Sequence, residues 1–184
     1  MLQWGTPFDL DVYNSWSNYY RRAMVGQKEI KLENCILALP MAGEGSRFSK
    51  EGYDTPKPFI PVNGKHMVDQ VVKCLPKTDN IIYGCLRGHQ APGENVVWID
   101  QVLEGQACTT EKIVNSIDSD SSLLISACDN GVFYASDKFL QLVEDETNDI
   151  IAWTYRNNHT SHLQPEAYSW VCLLYTSDAA DDTP

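Results

Sequence analysis

The sequence LPMAGEGSRF occupies residues 39–48, and residues 55–58 close the same region with TPKP. The apolar run at residues 35–39 leads directly into this loop and predicts a buried strand. Gly43 and Gly45 allow the backbone to approach a ligand closely and to adopt positive φ angles at little cost. Backbone N–H groups in such a loop can surround phosphate oxygens. The stretch therefore predicts a strand, a phosphate-binding loop and a helix, which together begin an α/β fold.

Two cations favour phosphate binding over the alternative, a plain glycine-rich turn between a strand and a helix. Arg47 supplies a planar guanidinium suited to phosphate, and Lys57 supplies a point charge. The spacing excludes a Walker A loop, because residues 64–65 are Gly-Lys but His66 stands where Ser or Thr is required. It also excludes a dinucleotide fingerprint, since Phe48 occupies the position of the third glycine.

The G-x-G-x-R…P-K spacing instead resembles the signature of the sugar nucleotidylyltransferases (nucleotide-diphospho-sugar pyrophosphorylases), over about residues 36–171. The resemblance implies a Rossmann-like three-layer α/β/α nucleotide-diphospho-sugar transferase fold with a mostly parallel sheet, truncated at its C-terminus. It implies transfer of NMP from a nucleoside triphosphate to a sugar 1-phosphate, with Mg²⁺ as cofactor and pyrophosphate as leaving group. Arg47 and Lys57 would be catalytic. The nucleotide would be bound by Leu39, Met41, Ala42, Gly43, Glu44, Gly45, Ser46, Gly105 and Gln106.

Asp129 is the candidate metal ligand. It follows the apolar run at residues 123–127, so its carboxylate should emerge at the carboxyl end of a strand, where α/β sheets bind ligands. A carboxylate facing a triphosphate is repulsive unless a divalent cation lies between them, and Mg²⁺ prefers one or two carboxylates plus phosphate oxygens. The alternative is a strand-end Asp that caps the following turn.

The stretch LEGQA at residues 103–107 resembles the turn with which that family recognises the base. Gly105 would let the backbone approach a flat ring, and Gln106 offers donors and acceptors to its edge. The alternative is simply a helix start. Residues 165–171, PEAYSWV, resemble the segment where the family begins to line its sugar site.

Composition restricts the partners and the compartment. The net charge of −11 argues against nucleic acid as a partner. No apolar stretch is long enough to span a bilayer, and the N-terminus lacks the pattern of a signal peptide. The six cysteines form no C-x-x-C pair and are interpreted as reduced, mostly buried residues of a cytoplasmic protein.

The length suggests one domain, with two ends that do not belong to it. Residues 1–31 form an N-terminal helical segment, which is either the end of a preceding module or a helix packed on the domain. Residues 32–171 form an incomplete nucleotidyltransferase domain. Residues 172–184 resemble translated adapter DNA and are interpreted as a non-native tail, the alternative being an acidic disordered tail.

Apolar runs alternate with helical patterns along the middle of the chain. The pattern predicts strands at 35–39, 80–86, 96–99, 123–127 and 149–154, an extended piece at 57–62, and helices at 66–75, 106–117 and 136–143.

Two other functions remain open from the sequence. One is a catalytically inactive regulatory module that binds nucleotide or sugar. The other is a cytidylyltransferase that acts on a non-sugar phosphate such as phosphocholine. The sequence leaves open the base, the sugar, homo-oligomer formation and the activity of this chain by itself.

Overall fold

A run of six residues, Cys35–Pro40, forms the first strand, β1, and every one of them is buried. The computed structural model describes residues 6–25, 28–155, 161 and 165. β1 pairs with a parallel strand on each side. A central parallel strand is covered on both faces, which explains its unbroken apolar sequence.

Besides β1, the described strands of the sheet are β4 (Asn80–Leu86), β5 (Val96–Ile99) and β6 (Ser122–Ile125). These four strands are parallel and lie in the order β5-β4-β1-β6. The predicted α/β fold with a mostly parallel sheet is confirmed. β4 and β5 have the predicted bounds, whereas β6 begins one residue earlier and ends two residues earlier than predicted.

The described residues form five α-helices: α1 (Pro7–Val25), α2 (Ser46–Lys50), α3 (Met67–Cys74), α4 (Gln106–Val114) and α5 (Ser136–Glu144). The connection from β1 to β4 contains α2 and α3, and the connection from β5 to β6 contains α4. α4 packs against β1, β4 and β5. Among the described helices, none has both the length and the hydropathy of a membrane span.

Gly84 of β4 allows α4 to approach the sheet closely. A Cβ atom at this position would lie 2.8 Å from Cγ2 of Thr109 and 3.0 Å from Cδ1 of Ile113. Both of these α4 side chains are buried. The close packing of α4 on the sheet therefore requires a residue without a side chain at position 84.

The extended piece predicted at 57–62 is only partly correct. Lys57–Phe59 form a 3₁₀ turn, and Pro61–Val62 (β2) pair antiparallel with Lys65–His66 (β3). Asn63 and Gly64 make the tight turn between them with φ of 50° and 76°. Asn-Gly is a preferred sequence for such a turn, so the hairpin could have been predicted. The helix predicted from His66 therefore begins one residue later, at Met67.

The strand predicted at 149–154 is wrong, because these residues are irregular in the structure and join no ladder among the described strands. Trp153 packs edge-to-face against Phe139 of α5 with 4.7 Å between ring centroids, while Ile150 is 86% exposed. Val143 of α5 is exposed as well. The apolar residues of this region thus do not share the single buried face that a strand would give them.

α4 ends three residues before its predicted end. The N–H of Ser116 donates to the carbonyl of Ile113, and the N–H of Ile117 donates to that of Val114, each at 3.0 Å. These i to i−3 bonds tighten the chain into turns, a common way for a helix to finish.

The chain divides into two compact units. The sheet unit comprises Gly26–Ser136, and the terminal unit combines Met1–Val25 with Asp137–Pro184. The sheet unit contains every residue of the predicted site. The predicted sugar-site segment after residue 165 and the predicted non-native tail lie outside the described residues.

Among the described residues, the five cysteines form no disulfide bond with one another. Cys35, Cys85 and Cys128 are buried, and Cys74 and Cys108 are partly exposed. The prediction that the cysteines are mostly buried is confirmed for these five, and their reduced state stays a prediction. Cys172 lies outside the described residues.

Candidate functional site

The candidate site lies at the point in the sheet where the order of successive strands reverses. From β1 the chain continues to β4 and β5 on one side, and α4 then returns it to β6 on the other side of β1. The strand order therefore reverses between β1 and β6. In open α/β sheets, ligands bind outside the carboxyl ends of the strands at such a reversal. The glycine-rich loop follows β1 and Asp129 follows β6, so both lie at this reversal.

The first part of the loop is anchored in the core. Leu39, Met41 and Ala42 are buried, and the N–H of Met41 donates to the carbonyl of Gly84 at 2.9 Å. The side chains of these three predicted nucleotide-binding residues are thus part of the core. These residues are only 0%, 5% and 2% exposed, so little of them is open to a ligand, and the N–H of Met41 is already used.

Gly45 brings the loop against Lys57. It has φ of 63° and ψ of 28°, the left-handed conformation that favours glycine. A Cβ atom added there would lie 3.1 Å from Cβ of Lys57. Its carbonyl accepts the N–H of Phe48 at 2.9 Å, which starts α2. The second glycine of the signature is therefore needed both for its φ and for its contact with Lys57.

The rest of the loop faces solvent. Gly43, Glu44, Ser46 and Arg47 are exposed. Among the described residues, no hydrogen bond uses the backbone N–H groups of residues 43–47. An exposed loop with uncommitted N–H groups and a guanidinium has the chemistry needed to bind an anion.

Lys57 and Asp129, which are 72 positions apart in sequence, form an ion pair. The Nζ atom of Lys57 donates to Oδ2 of Asp129. The side chains are 23% and 32% exposed, so the pair is partly desolvated. The structure thus brings together the predicted catalytic lysine and the predicted metal ligand.

The turn that carries Asp129 is held by its neighbours on both sides. Cys128 is buried, and a Cβ atom on Gly131 would lie 3.3 Å from Sγ of Cys74 at the end of α3. Burial, followed by the charge of Asp129, raises the pKa of the Cys128 thiol to about 11. Cys128 is therefore a neutral packing residue at neutral pH rather than a nucleophile.

Asp129 presents one carboxylate, and the described residues hold no cluster of three or more His, Cys, Asp or Glu that could enclose a metal ion. This donor set does not suit a metal site made by the protein alone. It does suit Mg²⁺, which is commonly held by one or two carboxylates together with substrate phosphates. The predicted cofactor is compatible with these residues and stays a prediction.

Gly105 and Gln106 lie at the same edge of the sheet, but farther along it. They follow β5, which is two strand positions from β1 and hence roughly 10 Å away. Gly105 has an extended backbone with φ of −171°, and a Cβ atom there would contact nothing within 4 Å. Both residues are exposed, which is compatible with the predicted contact to a base and equally with a plain helix start.

One ion pair at this edge was not predicted. The Nε atom of Arg87, just after β4, donates to Oδ1 of Asp100, just after β5, at 2.6 Å. The sequence offers little signal for it, because both residues occupy ordinary exposed turns. The pair connects the loop after β4 to the loop after β5, and both of these loops lie between the glycine-rich loop and Gly105 along this edge.

The likeness of this chain to known proteins is one of structure. No protein-family model matches the chain, and no curated protein matches it. Among solved structures, the chain is similar to the nucleoside-diphosphate-sugar pyrophosphorylase from Vibrio cholerae RC9, with 20% sequence identity over 56% of this chain and a TM-score of 0.43. The chain spans about half of that protein, covering 52% of it.

Proposed function

We propose that this chain carries the nucleotide site of a nucleotidyltransferase, which transfers NMP from a nucleoside triphosphate to a sugar 1-phosphate. One observation carries the proposal. Lys57 and Asp129, chosen from the sequence for phosphate and for metal, meet at the switch point of the sheet beside a loop with uncommitted N–H groups. The sugar acceptor is inferred from the sequence signature.

In the proposed reaction, an oxygen of the sugar 1-phosphate forms a bond to the α-phosphorus. The bond between that phosphorus and the α,β-bridging oxygen breaks, and its electron pair leaves with pyrophosphate. The attacking phosphate is already ionised, so no general base is required. The main demand is stabilisation of negative charge on the phosphoryl oxygens.

The loop and its cations meet this demand. Backbone N–H groups of residues 43–47 and the Arg47 guanidinium would hold the triphosphate and stabilise the leaving pyrophosphate. Lys57 would neutralise charge at the reacting phosphate. Asp129 would hold Mg²⁺, which when bound supplies charge neutralisation and alignment of the phosphate oxygens. Gly105 and Gln106 would contact the base.

The test is release of pyrophosphate from a panel of nucleoside triphosphates and sugar 1-phosphates in MgCl₂, with mass spectrometry of the nucleotide product. Phosphocholine is included as a non-sugar acceptor. Arg47→Ala should lower kcat/KM by about 100-fold or more, because electrostatic catalytic groups of this kind typically contribute that much. Lys50→Ala removes a neighbouring exposed charge from α2 and should leave the rate near wild type.

Three results would count against the proposal. The first is an equal loss of kcat/KM in Arg47→Ala and Lys50→Ala. The second is formation of product from phosphocholine but from no sugar phosphate. The third is binding of triphosphate without release of pyrophosphate. The last would favour a regulatory binding module. The assay is run on this chain and on any longer protein that contains it.

A further inference from the structure

The Lys57–Asp129 ion pair occupies the two groups that the proposed ligands need. Lys57 is the cation proposed for a phosphate oxygen, and Asp129 is the carboxylate proposed for a divalent cation. In the ligand-free structure each neutralises the other. Both side chains are mostly shielded from water, so their attraction is screened less than that of a surface pair.

Each ligand alone meets an obstacle. An anion that takes Lys57 leaves the Asp129 carboxylate unpaired and facing the anion. A divalent cation that takes Asp129 leaves the Lys57 ammonium unpaired and facing the cation. When both ligands bind together, neither side chain is left without a partner.

We propose that this ion pair makes the binding of polyphosphate and of a divalent cation mutually dependent, so that the site rejects either one alone. The inference rests on the proposed function, since it assigns phosphate and metal to these two residues. Such coupling is reciprocal, because each ligand must raise the affinity of the other by the same factor. The pair thereby selects the metal–triphosphate complex over free triphosphate.

The cation half of the test uses Mn²⁺ alone, measured by electron paramagnetic resonance of the free ion. Lys57→Met should bind Mn²⁺ about tenfold more tightly than wild type, because Asp129 is released from its hydrogen-bonded partner. Lys50→Met is the matched control: it removes the same charge from an exposed position of α2 without breaking the pair. Its effect should stay below about threefold, as expected for an exposed, screened charge. Lys57→Gln repeats the test with a polar side chain.

The anion half uses inorganic tripolyphosphate in the presence of EDTA, measured by calorimetry. Asp129→Asn should bind it about tenfold more tightly than wild type, since Lys57 is then free. Glu51→Gln removes the same charge from an exposed position at the end of α2, outside the loop, and should have a much smaller effect. A rise in affinity confined to Lys57→Met and Asp129→Asn supports the proposal.

Equal effects in the paired variants and their controls would overturn it, since simple repulsion would then explain the data. Weaker tripolyphosphate binding in Asp129→Asn would also overturn it. If the protein turns over substrate but the ion-pair variants and their controls change ligand affinity equally, the nucleotidyltransferase proposal stands and only the ion-pair coupling is excluded. Coupling without turnover would support the ion-pair inference while contradicting the enzymatic function.

Discussion

Alanine substitutions at Gly43 and Gly45 of the signature loop should separate the contribution of the loop to protein stability from its contribution to anion binding. Gly45 has φ of 63° and would place a Cβ atom 3.1 Å from Cβ of Lys57. Gly43 has no positive φ, and a Cβ atom there would meet nothing within 4 Å. The two residues are separated by one position, so Gly43→Ala is a matched control for Gly45→Ala.

The expected magnitude follows from these two geometries. A left-handed conformation costs an alanine about 1–2 kcal/mol, and the tight contact with Lys57 adds to this. Replacing glycine by alanine also reduces the freedom of the unfolded chain, which stabilises a compatible site by about 0.4–1 kcal/mol. That contribution is common to both variants and cancels in their difference. Gly45→Ala should therefore be less stable than Gly43→Ala by about 1–2 kcal/mol.

Urea unfolding followed by circular dichroism measures this difference, and calorimetry with tripolyphosphate and Mg²⁺ measures binding. Gly43→Ala should be at least as stable as wild type but bind the anion more weakly, because its methyl group enters the space proposed for phosphate. Equal unfolding free energies for the two variants would refute the assigned loop geometry. Unchanged anion binding by Gly43→Ala would contradict the place proposed for the phosphates.

Three further predictions concern the sheet unit. In urea unfolding, Gly84→Ala should destabilise the protein by about 1–3 kcal/mol through overpacking. Adding Thr109→Ser removes the methyl group 2.8 Å away and should recover part of that loss, whereas strictly additive effects of the two substitutions would contradict the assigned contact. Burial raises the pKa values of the Cys85 and Cys128 thiols to about 11. As pH rises, these thiols therefore lose their protons in the unfolded state before they do so in the folded state. The free energy of unfolding should fall by up to roughly 2–3 kcal/mol per thiol between pH 9 and pH 11. Urea unfolding at pH 8 and pH 10.5 tests this, and equal values would exclude it. Ser136→Ala removes a part-buried hydrogen bond of 2.9 Å to a backbone carbonyl and should cost about 1 kcal/mol in the same assay; an unchanged midpoint would show that the bond contributes nothing.

The strands that are buried on the sheet could be predicted because their sequence pattern is local. β4 and β5 have the predicted bounds, and β1 differs by one residue. The same reasoning failed at 149–154, where apolar residues lie in an irregular segment with no strand beside them among the described residues. A short apolar run shows that a segment prefers burial, but it does not supply the neighbouring strand that a ladder needs.

The sequence by itself determined the chemistry available at the site. The spacing of Gly43, Gly45 and Arg47 after a buried strand indicates an anion-binding loop, and it requires no knowledge of distant residues. The left-handed conformation of Gly45 agrees with that indication. These features are readable because they depend on backbone conformation and side-chain chemistry within a few positions.

Only the tertiary structure decided which charges meet. Lys57 and Asp129 meet in a sheet where β6 lies beside β1, and α4, which connects β5 to β6, packs closely over Gly84. No local pattern specifies which strand becomes the neighbour of β1, since strand order is set by how helices and strands pack over the whole unit. The sequence therefore indicated a lysine for phosphate and an aspartate for metal, and the fold placed them in direct contact.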